Sequence, residues 1–195
     1  MKYKSVRLKS DDVVAVIENL KSEFRIPLRF QDVIGADFSE VKGLIAFPNN
    51  TDDPLQHSPY CIGEIVYVKE TWAQGRDTYL YRAGSADNES DQNQKSVCQI
   101  RWKPATQMPS NAARIFLEIT DIKLQRLQDI TLDEISREGI WLPGSLFPKD
   151  TCAARWDSAL SDKKRSQYGW NMNPWVWVFS FRRCKQPEDW DVEVS

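Results

Sequence analysis

A lysine, a glutamate and a tryptophan stand together at Lys69-Glu70-Thr71-Trp72, directly after the apolar run Ile65-Val66-Tyr67-Val68. The apolar residues are β-branched or aromatic, the types that fit a pleated, packed strand. That strand ends on groups able to donate a proton, accept one and stack a ring. Adjacent strand residues point to opposite faces, so only one of Lys69 and Glu70 faces a given pocket. A desolvated lysine can act as a base, and Glu70 can act as an acid or as its partner. More cations and rings stand at Lys21, Arg25, Arg101-Trp102 and Arg114. Trp72 and Trp102 adjoin charged residues and are candidates for stacking a nucleobase. Arg101 and Arg114 are candidates for phosphate contacts. Plainer readings stand beside these. Lys21 also suits a helix C-terminus, where the dipole favours cations. Glu70 also suits a strand-end salt bridge, which contributes little. The two tryptophans also suit the edge of a core.

Other chemistries are disfavoured. His57 is the only histidine, and it lies in a polar, proline-flanked loop, so His-based metal clusters and most Ser-His triads are not expected. Cys61, Cys98, Cys152 and Cys184 are scattered, with no C-x-x-C pair, which reads as reduced cysteines in a cytoplasmic protein without a metal or cofactor. No apolar run approaches the roughly 20 residues that span a bilayer, so no membrane association is expected. The first residues are charged and lack the apolar core of a signal peptide. The net charge of −2 hides an asymmetry. Residues 1–31 carry seven Lys/Arg against four acids, and residues 95–126 carry six against two. Acids collect at Asp52-Asp53, between Asp87 and Asp91, and at Glu188, Asp189, Asp191 and Glu193. This pattern fits a local polyanion site, with an ordinary mixed surface as the alternative.

The elements that must position these residues suggest an α+β domain. Val6–Leu8 reads as a short first strand. Ser10 is placed to cap a helix, with Asp11 and Asp12 in its first turn and Val13, Val16, Ile17 and Leu20 at helical spacing. Pro27 ends any helical continuation. Within the ambiguous stretch 37–47, Leu44–Phe47 reads as a strand. Residues 49–54 read as a polar loop. Thr78–Arg82 suits half of a hairpin. Residues 83–96 lack apolar side chains and are expected to form a mobile insertion. Cys98–Trp102 returns as a strand. Ala113–Leu124 is the longest strand signal, with a bend expected at Thr120-Asp121. Thr131 and Gly139 bracket a helix over Leu132–Glu138, and Asp150–Leu160 suits another. Asn173-Pro174 opens Trp175–Arg182, apolar on both faces and so expected to be a central strand. The expected organisation is one domain over residues 1–185 and an acidic, frayed tail over 186–195. A small, curved, partly closed mixed barrel with helices outside is the expected geometry.

An ordered set of segments resembles the ASCH group of the PUA-like superfamily, in the longer form found in phages and prophages. The segments are Pro59-Tyr60 with Gly63–Trp72, Tyr81-Arg82-Ala83, Arg101-Trp102-Lys103-Pro104 with Met108-Pro109, and Ala113-Arg114-Ile115 with Leu117–Asp121. Leu127–Ile130, Glu138-Gly139, Trp156-Asp157-Ser158 and Asn173–Val178 follow. The resemblance implies a PUA-like β-barrel beside helices, with a cleft between them. It also implies association with RNA or modified nucleosides. The basic, aromatic-rimmed strand ends place binding of single-stranded RNA or a nucleotide on Lys21, Arg25, Lys69, Trp72, Arg101, Trp102 and Arg114. Some small ASCH proteins are amidohydrolases on N4-acetylcytidine, and ribonuclease activity has been attributed to others. The alternative is therefore a hydrolase using Lys21 and Glu70. A further alternative is a phage accessory protein that acts through a protein partner. The family signature is Gly-x-Lys, with Thr three residues after the Lys and then Arg. In the aligned run Asn19-Leu20-Lys21-Ser22-Glu23-Phe24-Arg25, Asn19 replaces the glycine and Phe24 the threonine. The threonine is the proposed nucleophile, and phenylalanine has no hydroxyl. Ser22 would need a register change to substitute for it. The departure disfavours the amidohydrolase.

Overall fold

The computed structural model describes residues 3–28, 39–41, 44–46, 58–76, 78–84, 100–140 and 146–190, with backbone alone for 39–41 and 44–46. In chain order the elements are β1 Lys4–Arg7, α1 Ser10–Ile17, β2 Glu23–Pro27, β3 Ser39–Val41, β4 Leu44–Ala46, β5 Ile65–Lys69, β6 Trp72–Gln74, β7 Tyr79–Tyr81, β8 Phe116–Arg126, α2 Leu132–Arg137, α3 Pro148–Ser158, α4 Asp162–Tyr168 and β9 Trp175–Cys184. The protein is a mixed α+β structure with a mixed sheet. It divides into two compact units, each built from separate stretches of chain. The first comprises Met1–Asn19, Ile65–Glu118 and Arg183–Ser195; the second comprises Leu20–Glu64 and Ile119–Arg182.

In the first unit, β5 runs parallel to β1, from Lys4↔Val66 to Arg7↔Lys69. It runs antiparallel to the start of β8, from Ile65↔Glu118 to Tyr67↔Phe116. Every second residue turns inward, and Val6, Leu8, Val66, Val68 and Leu117 are buried. Val13 and Val16 bury the inner side of α1. The helix differs slightly from expectation. Lys9 takes the N-cap position, no side chain caps it, and Ser10 is already helical. The helix stops at Ile17, Asn19 adopts φ +59°, and Leu20 is exposed. The apolar stripe is therefore one turn shorter than its sequence spacing suggested. β6 and β7 form an antiparallel hairpin, Trp72↔Tyr81 to Gln74↔Tyr79.

In the second unit the strand order is β8-β9-β2. β2 pairs antiparallel with β9, from Glu23↔Ser180 to Pro27↔Val176. Pro27 thus closes an edge strand, where a missing N–H is tolerated. As expected of a central strand, β9 buries Val176, Trp177, Val178 and Phe179 on both faces. Along β8 the inside–outside alternation slips at Thr120-Asp121: both are exposed, between buried Ile119 and Ile122. Thr131 caps α2 through a reciprocal box with Glu134, and Gly139 follows the helix with φ +67°. β3 and β4 pair antiparallel.

Among the described residues no closed barrel is formed. Ile100–Trp102 is not a strand; only Lys103 bridges to Trp72. Within the tail, Trp190 makes ring contacts with Tyr3, Tyr67 and Phe116. His57, Cys98, the loop 49–54, most of the insertion expected at 83–96, and residues 191–195 lie outside the described residues.

Candidate functional site

Lys21 and Arg25 belong to the second unit, while Lys69, Glu70, Trp72, Arg101, Trp102 and Arg114 belong to the first. Each group builds its own cluster.

The alternation of β2 sends Glu23 and Arg25 to one side and Phe24 to the other. On the Arg25 side lies the polar end of α2. Arg25, 2% exposed in its side chain, donates through Nη1 to Glu138, and its Nη2 lies 3.3 Å from Glu134 and 3.8 Å from Glu23. The last two contacts are ion pairs without hydrogen-bond geometry, and Glu23 Oε2 and Arg25 Nε and Nη2 have no hydrogen-bond partner among the described residues. Arg137 supplements Glu23, its Nε donating at 2.7 Å. Lys123 donates to Glu134, and Gln125 adds a bond of 3.2 Å. Lys21, 5% exposed, donates to the Glu138 carbonyl at 2.9 Å, with the Glu138 carboxylate 3.8 Å away. It is not the solvated helix-end lysine of the plainer reading. The backbone adds Ser22 N–H to Arg137 O at 2.7 Å. Four cations thus face three buried or nearly buried carboxylates, and the network ties β2 to α2.

Glu134 shows how the balance falls. Burial raises its pKa, but Lys123, the Thr131 amide, Gln125 and Arg25 outweigh that and hold it at about 2. A depressed carboxylate pKa contributes stability above the unfolded value, near 4.5. That stability is lost as pH falls from there towards 2. The contribution is about 2–3 kcal/mol at neutral pH. Glu134→Gln is expected to flatten the acid limb between pH 5 and 2, as read by urea midpoints against pH. An unchanged limb would show that Glu134 does not carry it. Burial pushes the nearby Cys152 thiol up to about 11, with Glu138 adding to the rise against Arg25 and Lys21. Cys152 is therefore a protonated, packed thiol rather than a nucleophile.

On the other side of β2, Phe24 lies in an aromatic cluster. It stacks on Phe179 at 5.1 Å and meets Phe181 at 5.7 Å and Tyr60 edge-on at 6.1 Å.

In the first unit Glu70 is fully buried, and both its oxygens accept from Arg114, at 2.8 and 2.9 Å. Arg114 also donates to Ala83 O at 2.7 Å and lies 4.1 Å above the Tyr81 ring. It remains 32% exposed. Trp72 is only 4% exposed and packs with Met108, Ala112, Tyr79 and Tyr81. Trp72 thus packs as a core-edge residue and offers little ring surface for stacking. Lys103 reaches over the Trp72 ring, 4.7 Å from its centre, and its backbone exchanges two hydrogen bonds with that of Trp72. Trp102 is half-buried beside exposed Arg101. Lys69 is half-buried, 5.8 Å from the Tyr67 ring.

Of the predicted binding residues, Arg101, Trp102, Arg114 and Lys69 present surface, while Trp72, Lys21 and Arg25 do not. Sequence reasoning missed Glu23, Glu134, Glu138 and Arg137 as a charge set. The Thr131-x-x-Glu134 spacing was the available signal, but it marks a capping box rather than a pairing across the fold. No family model, no curated protein and no solved structure matches this chain.

Proposed function

We propose that this protein is a PUA-like ASCH module that binds single-stranded RNA or a modified nucleotide. In this reading the mixed sheet is part of a PUA-like barrel, and the protein is cytoplasmic and of phage or prophage origin. The observation that carries the binding proposal is the run Arg101-Trp102-Lys103 in the first unit, a half-buried tryptophan between an exposed and a half-buried cation. From Lys69 to Arg114 the sequence carries seven cations, Lys69, Arg76, Arg82, Lys95, Arg101, Lys103 and Arg114, and five acids, of which Glu70 alone lies among the described residues. That acid is buried and neutralised by Arg114. Asp77, Asp87, Glu89 and Asp91 fall outside the described residues. A half-buried tryptophan between two cations, Arg101-Trp102-Lys103, supplies a π-face beside phosphate partners, the combination single strands need.

The hydrolase alternative gains no support. Position 24 holds a buried ring, Lys21 is engaged by Glu138, and both Glu70 oxygens are taken by Arg114.

Titration of fluorescent single-stranded RNA at low and moderate salt tests the proposal. Each phosphate contact contributes a log–log slope of about −0.7. The Arg101→Ala/Lys103→Ala variant is expected to shallow the slope by about 1.4 if both contact phosphate. Trp102→Ala is expected to weaken binding by about 1–3 kcal/mol. No binding at low salt, or binding indifferent to these changes, would shift the weight to a protein partner.

A further inference from the structure

The sheet of the first unit has a second face, and aromatic and basic residues populate it. Register places Ser5 beside Tyr67, Tyr67 beside Phe116, and Arg7 beside Lys69. Paired residues share a face, so Arg7, Tyr67, Lys69 and Phe116 lie on one side, opposite buried Val6, Val66, Val68 and Leu117. Tyr3 joins them just before β1. One acid, Glu118, stands on the same side at the far end, opposite Ile65.

Tyr67 and Phe116 are buried, and Trp190 of the C-terminal segment packs against both rings. Trp190 meets Phe116 at 4.9 Å and Tyr67 at 5.1 Å, both edge-on, and Tyr3 at 5.0 Å. Asp189 accepts from the Tyr3 hydroxyl, and Glu188 precedes it. The Trp190 amide closes a turn to Pro187 O at 3.2 Å. The segment therefore brings one flat ring and the Asp189 carboxylate to a surface of three rings, on the face that also carries Arg7 and Lys69. A nucleotide makes the same offer: one flat ring and an anionic group. Sheet faces bearing aromatics flanked by cations are a recurrent platform for unpaired RNA bases.

We propose that Tyr67 and Phe116 form a base-stacking platform for single-stranded RNA, covered in the free protein by the Glu188-Asp189-Trp190 segment acting as an internal stand-in for a nucleotide. The inference rests on the RNA-binding reading above and adds a site and its control. Binding through this face requires the segment to lift. The apparent affinity is then the intrinsic affinity scaled by the fraction of molecules already open.

Full-length Trp190→Ala, checked for a native unfolding transition, is expected to bind fluorescent single-stranded RNA about tenfold more tightly than wild type if about a tenth of molecules are open. Adding Tyr67→Leu, which keeps apolar bulk but removes the ring, should cancel the gain. Should Trp190→Ala fail to fold, Glu188→Gln/Asp189→Asn keeps the ring, removes both charges and is expected to tighten binding severalfold. Amide exchange gives an independent readout: RNA should accelerate exchange at Trp190. Wild-type binding that is unaffected by the tail substitutions and leaves Trp190 protected would overturn this inference alone. Failure of every variant to bind would overturn the RNA-binding reading along with it.

Discussion

Arg25→Ala is expected to destabilise the protein by about 3–5 kcal/mol at neutral pH, the cost typical of removing one partner from a buried charge set. The size follows from what remains. Glu23, Glu134 and Glu138 keep their places around the lost guanidinium, and their side chains are 3%, 6% and 12% exposed. Arg137 still reaches Glu23 and Lys123 still reaches Glu134, but among the described residues the Glu138 carboxylate keeps Lys21 alone, at 3.8 Å. Carboxylates left short of a counter-charge gain by taking up protons. The deficit is therefore expected to shrink as pH is lowered from 7 towards 4. Urea unfolding of wild type and variant at several pH values measures both effects. A loss under 1 kcal/mol would mean that water reaches the cluster and screens it, as at exposed pairs. Arg25→Lys should lose less, because it keeps the charge while giving up the fork that serves several carboxylates at once.

This cluster marks the boundary of what the sequence discloses. Strand β5 was legible because four β-branched or aromatic residues fall between a Gly-Glu turn and a charged pair. Strand β9 was legible because both of its faces are apolar, which only a central position satisfies. Helix α2 was legible because its start and stop are local chemistry: Thr131 with Glu134, then Gly139. Helix α4 carries the polar run Asp-Lys-Lys-Arg-Ser-Gln-Tyr and buries none of it, so no periodicity announced it. The pairing of Arg25 with Glu138 joins residues 113 apart in the chain. Alternation reveals that Glu23 and Arg25 share a face of β2, but not which helix will meet them. The same limit governs Trp72. Its charged sequence neighbours suggested a rim, yet its spatial neighbours Met108 and Ala112 come from turns more than thirty residues away. The tail shows a related limit: its acids suggested fraying, and alternation does not disclose that Trp190 meets three other rings.

Phe24→Thr, which supplies a hydroxyl where the proposed ASCH reading would place a nucleophile, is expected to give no hydrolysis of N4-acetylcytidine and to cost about 3–5 kcal/mol of stability. The energetic part is a large-to-small change in a packed site. Phe24 gives up contacts with Phe179, Phe181 and Tyr60, and the new hydroxyl enters an apolar environment. The catalytic part follows from strand parity. In β2, residue 24 points away from the face that carries Glu23 and Arg25. Lys21 is held on the Arg25 side, since both bind Glu138. A hydroxyl at position 24 would therefore stand across the strand from the lysine meant to activate it, beyond the hydrogen-bond reach that general-base catalysis requires. Changing the side chain restores the sequence signature without restoring the geometry; only a one-residue slip of β2 against β9 would do that, and it would turn Arg25 into the aromatic cluster. Chromatographic assay of cytidine release by folded variant at high enzyme concentration, beside its urea midpoint, decides the matter. Turnover that appears in Phe24→Thr and disappears on adding Lys21→Ala would place the lysine and the hydroxyl in one site and return the hydrolase reading to first place. A stable, inactive variant would spare that conclusion but contradict the packing argument, since it would mean that the aromatic cluster closes over the loss at little cost.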